Sequence, residues 1–317
     1  MSAASATAQA APPEKKGGMS TRTKVWLSLA VMLGLLLAMV GIFGSEGENE
    51  GFKPQNEFKL ESWIHIEIFG IDMSITKAVL YLALASAATV FTMVWIARRM
   101  EAKPNRVQTA VEAAYDLTRS NITGGNMDAK MALKWFPFVS TLFFFIWFSN
   151  MIGYLPLPTG TEHKVDVFGL EIPAFVLYAA TANLSVPLML TLMVWVSYHV
   201  EGVRAKGPIG YLKSWVPAGV EGAAAGPIFV IEVISHFVRI ISLSVRLFAN
   251  ILAGHLLILF MGGGLVVLLG LAAAGVLTLP MAIAFYIFEV GLVATLQAFI
   301  FATLTSIYLG GATADHH

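Results

Sequence analysis

Long apolar runs separated by short polar connections dominate the chain. They cover Val25 to Phe43, Ile75 to Ala97, Trp135 to Leu155 (rich in Phe and Trp) and Ala174 to Tyr198. Each suits one helical crossing of the roughly 20 residues that a bilayer requires. Two longer stretches follow, Ala223 to Phe260 and Leu265 to Leu309. These exceed one perpendicular crossing and are expected to tilt, bend or break. Runs this long and unbroken favour helices over barrel strands, which would alternate over about ten residues. The segment Pro104 to Thr123 has another pattern. Val107, Ala110, Val111, Ala114 and Leu117 recur at helical spacing, with Arg106, Glu112, Asp116 and Arg119 between or beside them. That spacing predicts an amphipathic helix lying on the membrane surface. The expected fold is an all-α membrane protein. It has about five to six transmembrane helices, the last two long and tilted, plus the surface helix.

The connections set the orientation. Met1 to Lys24 is rich in Ala, Ser and Pro and is expected to be a disordered tail. It carries Lys15, Lys16, Arg22 and Lys24. Arg98, Arg99, Lys103 and Arg106 follow the second run, and Arg204, Lys206 and Lys213 follow the fourth. Glu46, Glu48 and Glu50 lie on the intervening side, although Lys53 and Lys59 do too. The positive-inside rule places the N-terminus in the cytoplasm, and six crossings return the C-terminus there. Residues 25–43 have a second reading, since a basic segment before an apolar run is also the form of a signal sequence. The run is long for one, and no clear A-x-A site follows it. The N-terminus lacks the Arg-studded amphipathic pattern of a transit peptide, which points to a bacterial inner membrane.

Composition agrees with lipid as the solvent. Apolar residues make up 57% of the 317 and charged residues 13%, with a mean hydropathy of +0.73. Soluble domains carry about 25% charged residues. A net charge of zero gives no bulk attraction to nucleic acid. With no cysteine there is no disulfide, thiolate metal site or cysteine nucleophile. No H-E-x-x-H or G-x-S-x-G occurs and the seven histidines are scattered, so no cofactor, metal or catalytic group is expected.

Ionisable side chains inside apolar helices are then the informative ones, since each costs roughly 2.5–3.5 kcal/mol at a helix centre. The fifth run holds Glu232, His236, Arg239, Arg246, Asn250 and His255. On a helical wheel Glu232, Arg239 and Asn250 fall within roughly 40° of Arg246. Ser242 is one turn before it, so these residues form one polar stripe. His255 lies about 180° away. Glu232 and Arg239 read equally well as a structural ion pair. Arg246 has no carboxylate within two turns on its own helix; the nearest, Glu232, is roughly 20 Å away along the axis. Arginine cannot escape by losing its proton. It is a permanent charge that needs an anion from another element or another chain. The sixth run adds Glu289 and Gln297, and Glu289 could pair with His255 as a proton relay. Gln297 reads also as an amide joining helices. Asn150 and Asn183, in the third and fourth runs, either bond a neighbouring helix or line an aqueous entrance.

The segment SLSVRLFANILAGH resembles the S-L-x-x-R-L-F-x-N-x-x-A-G-H/E signature of the a subunits of F-type ATP synthases. LQAFIFATLTSIYL resembles their C-terminal signature, and NMIGYLPLP their N-L-x-x-x-x-P segment. The similarity covers about residues 62–310, with the Val25 to Phe43 helix as an addition. The resemblance implies a membrane proton-channel subunit set against a ring of c subunits, with peripheral stalk b subunits as further partners. It assigns Arg246 as the essential arginine and Asn250 as its partner one turn on. Glu232 falls in the inner half-channel with Arg239 and Ser242 nearby, and His255 with Glu289 in the outer one, with Asn183 and Asn150. Gln297 lies opposite the arginine. Such a subunit is non-catalytic by itself. Glu289 departs from the pattern, standing eight residues before Gln297 where seven are expected. A one-residue bulge would restore its facing direction. Gly153 stands where some members carry an aspartate, and Ala182–Asn183 replaces a more acidic pair. The alternative class is a proton-coupled secondary transporter, in which buried Arg, His and Glu form the path. Such folds often show internal repeats, and no convincing one occurs here.

Overall fold

The computed structural model describes residues 60–314, apart from 61, 70, 100, 102–103, 168–169, 218–219, 221–223 and 265–274, together with Arg22. Apart from Arg22, the tail and the helix expected over Val25 to Phe43 lie outside the described residues, as does the extreme C-terminus. Among the described residues five helices are long and apolar enough to cross a bilayer. In chain order the helices are α1 (Lys77–Arg99), α2 (Arg106–Asp116), α3 (Ala129–Gly153), α4 (Ser185–Lys206), the short α5 (Pro208–Lys213) and α6 (Ala225–Leu259). α7 (Gly275–Phe288) and α8 (Ala294–Thr313) complete the series and form one span through a π-helical turn at Glu289–Val293. The chain is an all-α membrane protein that crosses the bilayer several times.

Local chemistry sets the boundaries. Asn105 accepts the Gln108 amide at 2.8 Å and starts the surface helix α2, which runs on into a π-helical turn, Leu117–Thr123. Asp128 caps α3 in the same way through the Met131 amide. The fourth span begins at Ser185 rather than Ala174. Its expected first residues, Ala174 to Val176, end a hairpin of β5 (Leu157–Val167) and β6 (Leu170–Val176), whose register pairs Leu157 with Val176 and Val167 with Leu170, and a 3-10 turn at Ala180–Ala182 follows. A short apolar run such as AFVLYAA suits strand and helix equally, so periodicity cannot place that boundary. Two smaller hairpins precede α1, one pairing β1 (Ser62–Ile64) with β4 (Ile75–Thr76) and one pairing β2 (Glu67–Ile68) with β3 (Ile71–Asp72).

α8 is the central helix, packed on α3 and α4 and touching α6. Phe301 and Leu309 of α8 share one buried core with Val139, Leu142, Phe143, Phe144 and Ile146 of α3, Leu190 and Val194 of α4, and Leu243, Leu247 and Ile251 of α6. The end of α8 docks on the α2 side, where Ser306 donates to the Ile122 carbonyl at 2.8 Å and Lys206 to the Ala314 carbonyl at 2.6 Å. The hairpins mark the other end of the bundle, called here the strand side. The last two spans cover 39 and 36 residues. At 1.5 Å per residue they exceed 50 Å, well over the ~30 Å hydrocarbon core.

Candidate functional site

α6 presents two faces. His236, Leu243, Leu247, Ile251, Gly254 and His255 form its buried seam. The opposite face exposes Ile234, Phe237, Val238, Ile241 and Val245 together with Ser242, Arg246 and Asn250. Glu232 and Arg239 are half-buried at the edge of that face. Arg246 is thus an exposed cation on an apolar surface. Among the described residues it has no hydrogen bond or ion pair. Asn250, one turn on, is equally free.

On the buried side of α6, at the strand-side end, three polar groups meet. His255 is 1% exposed, with Nδ1 2.9 Å from the Ile251 carbonyl and Nε2 3.1 Å from the Gly153 carbonyl. A neutral imidazole carries one N–H, so the two carbonyls compete for it. Tyr154 stacks on His255 at 4.6 Å between ring centres and donates its hydroxyl to Glu289 Oε2 at 3.0 Å. His255 and Glu289 share no hydrogen bond or ion pair; Tyr154 touches both and joins them. The Glu289 carboxylate also rests on Gly254, and any side chain at that glycine would overlap it.

The π-helical turn begins at Glu289 itself. A π turn holds one extra residue, which cancels the roughly 100° error of an eight-residue spacing. Glu289 and Gln297 are both buried, at 7% and 4% exposure. Asn150 braces the segment just after the turn. Its Nδ2 donates to the Ala294 carbonyl at 3.3 Å and its Oδ1 accepts from Thr181 at 2.7 Å. Trp147 Nε1 donates to Thr295 at 3.1 Å. Both ends of the Asn150 amide are therefore engaged within the protein. Asn183 accepts the Ser185 amide at 3.0 Å and starts α4. Gly153 has Ala179 where its own side chain would stand, so this packing has no room for an aspartate there.

At the other end of α6 lies a cavity of about 590 Å³, lined by Glu232, His236 and Arg239 with Tyr198 of α4, Tyr211 of α5 and Tyr308 of α8. Arg239 Nη2 lies 3.3 Å from Glu232 Oε1, and its guanidinium stacks over Tyr308 at 5.1 Å. Ser242 donates to the Arg239 carbonyl at 3.3 Å. His236 is buried, with Nδ1 3.0 Å from the Tyr198 hydroxyl. Burial lifts the Tyr211 phenol above its ordinary pKa, so it stays neutral.

Sequence reasoning missed Tyr154 and Tyr198, and it noted His236 without a role. A tyrosine inside an apolar run signals a hydroxyl in need of a partner. Glu232 and His236 stand one helical turn apart, which was a second usable signal.

Comparison with known proteins accounts for most of the chain. The family model for the ATP synthase A chain matches residues 79–310. The chain is 38% identical over 252 residues to the ATP synthase subunit a of Rubrobacter xylanophilus, covering 78% of this chain and 88% of that one. It is 34% identical over 274 residues to that of Maricaulis maris, covering 83% and 98%. With that of Pelagibacter ubique it shares 32% over 265 residues, again covering 83% and 98%. A multi-pass bundle with two long final spans, matched along its length to these bacterial subunits, belongs to the ATP synthase A chain family, the proton-channel subunits of the membrane sector.

Proposed function

We propose that Arg246 is the fixed cation past which the carboxylates of a c-subunit ring move, and that two half-channels reach it from opposite sides of the membrane. The observation that carries this reading is the exposure of an unpaired arginine on an apolar helix face. Such a charge needs an anion, and a neighbouring chain that moves would bring one at intervals. A protonated c-subunit carboxyl is neutral and crosses lipid cheaply. Near Arg246 its ionised form is favoured, so it releases its proton. The arginine also repels a proton that would otherwise pass straight between the half-channels. Each charge crossing about 100 mV releases roughly 2.3 kcal/mol, which drives rotation.

The outer half-channel contains His255, Tyr154 and Glu289, with Asn183 at its mouth and Asn150 holding the π turn. Gln297 follows on the same face as Glu289. The inner one contains Glu232, Arg239 and Ser242 and opens through the cavity. This places both termini in the cytoplasm of a bacterium, with the strand side outside, and gives the subunit the c ring and b subunits as partners. In vesicles holding the assembled complex, Arg246→Ala is expected to abolish proton-driven ATP synthesis. Arg246→Lys is expected to fail too, since a compact ammonium does not reproduce the guanidinium fork. Coupled synthesis at the wild-type rate by Arg246→Ala would overturn the reading.

A further inference from the structure

The cavity end of α6 holds a histidine whose second nitrogen is unspoken for. His236 is 95% buried, being 5% exposed. Its Nδ1 is committed to Tyr198, but Nε2 makes no hydrogen bond among the described residues. That nitrogen lies 3.7 Å from Glu232 Oε1, just beyond hydrogen-bond reach. Glu232 is a third exposed, and the same Oε1 lies 3.3 Å from Arg239 Nη2. Groups on every adjacent element face the imidazole. Arg239 shares its helix, His199 of α4 lies 4.8 Å away ring to ring and Trp215, after α5, lies 4.5 Å away, with Tyr211 and Tyr308 across the cavity. A histidine kept only for packing has no reason to leave a buried ring nitrogen unsatisfied, because an apolar residue fills the space without that loss. One that exchanges protons must keep a nitrogen open.

We propose that His236 is a proton-relay residue of the inner half-channel, passing protons between Glu232 and water in the cavity. The step balances on the imidazole. Nε2 takes the proton from the Glu232 carboxyl, giving carboxylate and imidazolium. The imidazolium then releases a proton to cavity water, directly or through the Tyr198 hydroxyl, and returns to neutral. Histidine suits the step because its two ring nitrogens can take up and release a proton separately. The inference rests on the reading that this end of α6 is the inner half-channel.

The test uses the whole ATP synthase in vesicles, with assembly checked by subunit stoichiometry. His236→Gln keeps an amide able to bond Tyr198 but cannot titrate. It is expected to slow ATP synthesis at least about ten-fold, the low end of what a positioned acid–base group contributes. It is also expected to flatten the dependence of the rate on inner-side pH. His236→Ala is expected to be slowed similarly and to recover when imidazole is added. A wild-type rate and pH profile for His236→Gln would overturn the proposal, as would an assembled His236→Ala complex that imidazole does not restore. Arg246→Ala run in parallel separates the two readings. If it uncouples while His236→Gln behaves as wild type, only the relay fails. If it stays coupled, the arginine reading fails by itself.

Discussion

At the strand-side end of α6, His255 has a carbonyl at each ring nitrogen and Glu289 takes the Tyr154 hydroxyl, all in a close-packed setting. At the other end, His236 leaves one nitrogen open, Glu232 is a third exposed, and both face a cavity of about 590 Å³. The two ends hold the same residue types, a histidine, a glutamate and a tyrosine, and solve the same problem in different ways. Buried polar groups must be satisfied by protein or by water. The strand-side cluster uses protein atoms, so its close-packed geometry has little freedom to adjust. The cavity has polar walls and room for water, so its side chains can shift and still be solvated. Equal perturbations should therefore act strongly at the first end and weakly at the second.

The largest contrast lies in a pair of glycines. A valine at Gly254 would drive its side chain into the Glu289 carboxylate, which must swing away from the Tyr154 hydroxyl to make room. Overpacking a core site costs about 1–3 kcal/mol, and here it also displaces an ionisable group from its hydrogen bond. Gly254→Val is expected to lower ATP synthesis about a hundred-fold in assembled complexes. Gly311 lines the cavity, and a Cβ added there meets nothing within 4 Å. Gly311→Ala is expected to stay within about two-fold of wild type in the same assay, since an added methyl in open space strains nothing. Similar losses from both would break the comparison.

A subtler probe removes one oxygen. Tyr154→Phe keeps the ring that stacks on His255 and deletes the hydroxyl given to Glu289. A hydrogen bond to a charged group is worth about 1.5–3 kcal/mol, so synthesis is expected to fall about ten-fold or more. Proton-driven synthesis rates read at several outer-side pH values check this. An unchanged rate would mean that His255 and Glu289 work without the tyrosine between them.

The helices were legible because lipid demands long apolar runs. The polar stripe was legible because a helix has a fixed period, and Arg246, Asn250 and Ser242 do lie on one exposed face. The start of α4 was not, because Ala174 to Val176 begins an apolar run that the β5–β6 pairing claims for a strand. The eight-residue gap between Glu289 and Gln297 signalled a bulge only against a known pattern; nothing in EVGLV itself demands a π turn. Tyr154 and Tyr198 were invisible for a different reason. Each acquires its role from a partner far away in sequence, Glu289 and His236, and periodicity within one helix carries no information about such pairs.

The smallest expected effect concerns the wall of the cavity. Tyr308 contributes a ring face beneath Arg239, at 5.1 Å from the guanidinium. A cation–π contact at a partly exposed site is worth about 0.5–1 kcal/mol. Arg239 keeps Glu232 as a second partner when the ring is removed. Tyr308→Leu is therefore expected to lower ATP synthesis by about two-fold, the rate equivalent of less than 1 kcal/mol. The measurement is the synthesis rate of assembled complexes beside Tyr154→Phe under the same protonmotive force. If Tyr308→Leu is the more damaging of the two, the cavity wall is a positioned structure rather than a solvated one, and the Glu232–Arg239 pair needs its aromatic floor to stay aligned with His236.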